Sequence, residues 1–137
     1  MKKQKYDEDN IVWSEWIAEC RSKHRWFETA VKQASKAMKR YAAKQSTITY
    51  TEVSNAITVT RLEPHDPRLW AVCGQVSVEE NAAGNGMLSA IVVHKSGDME
   101  PGKGFFNLAK ECGRDVSDRD KCWIEEVKFV HAKAAKT

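Results

Sequence analysis

The sequence predicts a mostly helical α+β domain whose core is a winged helix-turn-helix preceded by a helical extension, and three observations predict it. From Lys32 onward the patterns run long helix, short strand, short helix, capped helix, strand, glycine-rich turn, helix, the element order of that motif. Leu88, Ala90, Ile91, Val92 and Val93 form an apolar, partly β-branched run suited to a buried strand. Ser96-Gly97-Asp98 and Pro101-Gly102-Lys103-Gly104 then break the backbone twice before Phe105 and Phe106 return to the core. A strand that turns on glycine and comes back aromatic reads as a hairpin or wing.

Length and composition set the frame. A chain of 137 residues that is 42% apolar suits one domain with a real core. Residues 1–10 read as a polar tail and residues 11–137 as the domain, divided into N-terminal helices over 11–44 and a winged-helix core with a C-terminal helix over 45–137. No apolar run reaches the roughly 20 residues of a membrane span, and the start lacks the apolar stretch of a signal peptide, so a cytoplasmic protein that does not enter a membrane is expected. Cys20, Cys73, Cys112 and Cys122 form neither a CxxC pair nor a Cys/His ligand pattern, so they read as reduced, mostly buried thiols with no cofactor or metal implied. Cys20 and His24 stand four apart on one helical face, but two ligands do not make a metal site.

The elements follow in order. Val12, Trp13, Trp16, Ile17 and Cys20 recur at helical spacing, with Asn10 as the expected N-cap. Ser22 is expected to restart the chain into a longer helix with Phe27, Val31, Ala34 and Met38 inward. The segment Thr47-Ile48-Thr49-Tyr50 reads as a short strand or extended link, and Thr49 with Glu52 has capping-box spacing before Val53, Ala56 and Ile57. Asp66-Pro67 is a helix start in which proline's missing N–H costs nothing. Leu69, Val72, Cys73 and Val76 are its buried stripe, and Gly84 or Gly86 its end. Phe105, Leu108, Ala109 and Cys112 repeat helically until Gly113, and Ser117 or Asp118 caps a last helix with Trp123, Val127, Val130 and Ala134 on one stripe.

Charge is unevenly distributed. The net charge is only +3, yet residues 21–44 carry eight basic side chains against Glu28 alone, and both flanking regions are net negative. Lys32, Lys36, Lys39 and Arg40 stand at spacings that let most of them project together from one helix, as a phosphate-backbone contact requires. A solvated lysine face is the bland alternative. The wing adds His94, Lys95 and Lys103. On the candidate recognition helix, residues 68–83, only Arg68, Gln75 and Asn81 suit base reading, while Glu79 and Glu80 repel phosphate.

Thr49-Tyr50-Thr51-Glu52-Val53, then Ala71-Val72-Cys73-Gly74, then Leu88-Ser89-Ala90-Ile91-Val92-Val93 resemble the C-terminal DNA-binding domain of alkylguanine-DNA alkyltransferases and alkyltransferase-like proteins. That family shows a TYG-type helix start, an RAVGG-like recognition helix, a PCHRVV strand and a glycine-rich wing; the likeness runs over residues 46–127. The resemblance implies that Tyr50 meets a phosphate beside the target nucleotide and that Trp70 stands at the arginine finger's position, near Arg68. It also places Ser89 and Ala90 where the family has its nucleophilic cysteine and the histidine beside it. A serine with no adjacent base is a poor nucleophile, so alkyl transfer is not expected.

The expected function is therefore non-enzymatic DNA binding, with no catalytic residue, through the basic helix and the wing. One alternative is a small protein-binding inhibitor or immunity-type factor that uses the wing and an exposed tryptophan face. The other is a metal-dependent nuclease: Glu126-Val127-Lys128 fits the E-x-K half of such a site if it lies on a strand. His65-Asp66 and His94-Lys95 offer acid–base groups, but nothing pairs either with a nucleophile.

Overall fold

The structure, a computed structural model, describes residues 12–94 and 102–136. It contains helices α1 (Trp13–Lys23) and α2 (Phe27–Ala43), strand β1 (Ile48–Thr49), helices α3 (Tyr50–Ala56) and α4 (Pro67–Ala82), a 3-10 turn (Leu88–Ile91), strand β2 (Val92–Val93), and helices α5 (Lys103–Glu111) and α6 (Arg119–Ala135). The chain is mostly helical with a small two-stranded sheet, and none of its described helices is long and apolar enough to cross a membrane.

Helix α4 is the spine, packed by α1, α2, α5 and the 3-10 turn. Its residues from Ala71 to Ser77 are all buried, because neighbours cover it on almost every side rather than along one stripe. Asp66 caps it through the Arg68 N–H with Pro67 in the first turn, as the sequence predicts. Its end is a Schellman motif: Asn85 N–H reaches Glu80 O, Gly84 N–H reaches Asn81 O, and Gly84 takes the left-handed φ of +87° that the motif requires.

Thr49 also behaves as its spacing predicts. Its hydroxyl accepts from the Glu52 N–H at 3.1 Å while the Glu52 carboxylate accepts from the Thr49 N–H at 2.9 Å, a full capping box at the start of α3. Thr49→Ala is expected to lower stability by about 1 kcal/mol, read as an earlier urea midpoint; an unshifted midpoint would show that β1 alone holds this helix start.

Four expectations change. Ser22 does not restart the chain: α1 runs on to Lys23, the Ser22 hydroxyl donates to Glu19 O, and the break falls at His24 to Trp26 before α2. Asn10, the expected N-cap, lies outside the described residues; the observed N-cap, Val12, offers no side-chain bond, and Glu111 of α5 takes that place by accepting from the Trp13 and Ser14 N–H groups at 2.7 and 3.1 Å. The predicted strand over 88–93 shrinks to Val92–Val93, because β1 is two residues long and because the Ser89 N–H is taken by the Ser77 hydroxyl. Leu88–Ile91 coils instead, with Ala90 N–H on Met87 O.

The two strands pair in parallel, Ile48 with Val92 and Thr49 with Val93. Of the hairpin and wing readings of this stretch the hairpin is overturned: Phe105 and Phe106 return to the core on helix α5, as their helical spacing predicts, and not on an antiparallel strand. The turn expected at the wing tip, with Lys95, lies outside the described residues, and Lys103 begins α5.

Candidate functional site

The parallel pair brings the start of α3 beside the end of β2, so Tyr50 and His94 meet with ring centroids 5.2 Å apart at 36°. Trp70, one turn into α4, joins them in a cleft whose other walls include Trp13, Cys73, Ser89 and Phe105. Three glycines shape it. A Cβ on Gly102 would come within 3.3 Å of His94 Nε2 and 3.5 Å of Tyr50 Oη, one on Gly74 within 3.4 Å of the Trp13 ring, and one on Gly104 within 2.6 Å of that ring. Gly74 and Gly104 thus form a saddle for the Trp13 indole, which is 3% exposed. The cleft, partly open to solvent, has a volume of about 30 Å³, room for a water or two.

The Ser89 hydroxyl meets Ser77 Oγ at 2.5 Å, and Ser77 Oγ also accepts from the Ser89 N–H at 2.8 Å, so Ser89 is held by another serine and not by a base. Burial pushes the Cys73 thiol up to about 12, which keeps it protonated. Among the described residues, no Asp, Glu, Lys or Arg lines the cleft.

Lys32, Lys36, Lys39 and Arg40 are exposed on the face of α2 opposite the buried Phe27, Ala30, Val31, Ala34, Ala37 and Met38. Lys39 pairs with Glu80 at 3.2 Å. Lys32, Lys36 and Arg40 make no ion pair among the described residues. A shallow groove runs between Lys32, Lys36 and Lys39 and the α4 carboxylates Glu79 and Glu80. Trp70 and Glu79 are about 13 Å apart along the α4 axis and on different sides of it, so the basic face and the aromatic cleft are separate features.

The remaining expected contacts are engaged elsewhere. Arg68 grips the Asp66 carboxylate, with Nη2 to Oδ2 at 2.7 Å, and its guanidinium lies 5.8 Å from the Trp26 ring, which stacks on His24 at 4.6 Å. Burial alone would raise the Asp66 carboxyl, but the hydrogen bonds and charge of Arg68 outweigh it and hold the carboxyl below its ordinary value. Gln75, expected to read bases, is buried and donates to Glu79 at 2.7 Å. Lys95 lies outside the described residues, and for Lys103 only the backbone is described.

The nuclease alternative loses its geometry. Glu126 and Lys128 lie on α6, where residues two apart point about 200° apart, and Glu126 is committed to the Arg114 guanidinium and the Met87 N–H. Among the described residues no cluster of His, Cys, Asp or Glu is arranged to hold a metal ion. The exposed tryptophan face is also missing: Trp13 is buried, and Trp16, Trp26, Trp70 and Trp123 are partly buried against the core.

Sequence reasoning missed Trp13 and Gly104 as parts of the cleft, and Ser77 as the partner of Ser89. The available signal was Gly74 inside a helical pattern, since an isolated glycine there marks a close approach; the partner, 61 positions earlier in the chain, was not readable. The class that fold and site define is a mostly helical α+β domain with an aromatic cleft beside a parallel strand pair and a basic helix face. No family model, curated protein or solved structure matches the chain.

Proposed function

We propose that this chain binds duplex DNA without catalysis, with its phosphate contacts made by the exposed face of α2. The observation that carries the reading is that Lys32, Lys36 and Arg40 stand at four-residue intervals along about 12 Å of helix axis with no acidic partner among the described residues. Cations left unpaired on a rigid helix are available to displace counterions from a polyanion. In this reading α3 and α4 form the helix-turn-helix of a winged-helix core. The alkyltransferase-like pattern supports the same arrangement through Tyr50, Trp70 and Ser89. Four unpaired thiols suit a reducing, cytoplasmic setting.

The protein-binding alternative is weaker, because none of the five tryptophans offers an exposed surface anchor. A salt titration of duplex binding tests the DNA reading. Three to four phosphate contacts predict that log K falls with log salt at a slope of about −3. A flat response, or no binding at about 50 mM salt, removes the proposal.

A further inference from the structure

We infer that the groove where the last turns of α2, α4 and α6 meet binds a small apolar carboxylate, an aryl or short alkyl acid. The groove is partly open to solvent and has a volume of about 240 Å³. A dry cavity of about 150 Å³ holds a benzene ring, so this one suits a ring that carries an acid group, or two fused rings. Its floor is apolar: Ala42 from α2, Leu88 from the 3-10 turn and Val130 from α6 line it, and all three are buried. The site touches the basic face through Lys39 and shares no residue with the aromatic cleft.

The polar lining selects the charge. Both Glu80 oxygens are engaged, Oε2 by Lys39 Nζ at 3.2 Å and Oε1 by the Asn85 amide at 2.9 Å. Lys39 spends one of its three ammonium donors there. Lys133 is partly buried and makes no ion pair among the described residues; its Nζ lies 5.5 Å from the centroid of the Phe129 ring. A π face steadies a cation without neutralising it. That ring packs over Gly86, where a Cβ would fall 2.7 Å from it. Among the described residues two ammonium groups therefore share the groove with one carboxylate, and a monoanion balances them. The other task open to lysines at helix ends is to offset the last carbonyls. Backbone groups already perform it: the Gln45 and Ser46 N–H groups reach Ala42 O and Tyr41 O in α2, and the Gly84 and Asn85 N–H groups reach Asn81 O and Glu80 O in α4. The ammonium groups are thus left for a ligand, with apolar surface beside them for its body.

The test uses the full chain at neutral pH, with 2-naphthoate and octanoate as aryl and alkyl probes and 2-naphthamide as the uncharged counterpart. The methyl resonances of Leu88 and Val130 are expected to shift and saturate at millimolar probe or below, the range open to ligands of this size. The amide should bind at least about tenfold more weakly, since it lacks the charge-assisted bonds to the ammonium groups. Saturation by either carboxylate supports the site, and the tighter of the two identifies the ligand body. Lys133→Met keeps an apolar stem and removes the charge, so about tenfold weaker binding is expected, with Lys133→Arg restoring most of it. Ala134→Met fills the groove and should abolish the shifts. No saturable shift with either carboxylate, equal affinity for the amide, or unaltered binding by a folded Lys133→Met overturns the proposal; circular dichroism checks the fold. Alanines at Lys32 and Lys36 should leave the naphthoate titration unchanged, so failure of the DNA reading and failure of this one are separable.

Discussion

Replacing Glu126 by alanine is expected to destabilise the protein by about 3 kcal/mol, more than a typical point substitution. The carboxylate is a junction. Its oxygens accept from Arg114 Nε and Nη2, both at 3.0 Å, and from the Met87 N–H at 2.8 Å, while the same guanidinium donates to Asn81 Oδ1 and Cys112 O. One side chain on α6 thus connects the end of α4, the entry to the 3-10 turn and the link after α5. With side chains only 8% and 27% exposed, neither Glu126 nor Arg114 can turn fully to water when its partner is lost. Glu126→Gln keeps an acceptor for the Met87 N–H but loses the charge pair, so about half the effect is expected. Urea denaturation reads both as shifts in midpoint at constant slope. A loss below about 1 kcal/mol for the alanine variant would mean that water replaces the carboxylate and that the junction is not structural.

Changing Lys32, Lys36, Lys39 and Arg40 together to alanine is expected to weaken duplex binding on the order of a hundredfold at low salt, and to flatten the salt slope by about 3. The fold should survive. All four side chains project from the exposed face of α2, alanine favours helix, and the one ion pair lost, Lys39 to Glu80, has a lysine side chain that is 57% exposed. The loss should be uniform across DNA sequences, because phosphate contacts carry no base information. Circular dichroism checks the helix content, and an unchanged salt slope in a folded variant would sink the basic-face reading.

The candidate site was legible in pieces. The capping box at Thr49 and the Asp66-Pro67 start placed Tyr50 and Trp70 correctly in the first turns of their helices, because caps are local chemistry written within four residues. The charge cluster on α2 was likewise visible, since a helix repeats its faces every 3.6 residues. Gln75 was misjudged because polarity suggested exposure on a helix that its neighbours bury all round. Arg68 was misjudged because its partner, Asp66, looked only like a cap.

By itself, the chain's sequence determined the local matters: six helices with most of their caps and stops, the basic face, and the absence of a base beside Ser89. Tertiary structure decided the rest. Leu88 to Ile91 is as strand-like as its neighbours, yet it coils because β1 offers only two residues for pairing and because Ser77 has claimed the Ser89 N–H. Glu126 reads as a ligand beside Lys128, yet it is a buried brace, because α6 turns it toward Arg114 and Met87. Trp13 reads as one member of an apolar stripe, yet it closes the cleft, because glycines at 74 and 104 leave room for its ring. In each case the deciding partner lies at least a dozen residues away, and hydrogen-bond competition and close packing across that separation leave no periodic trace in the chain.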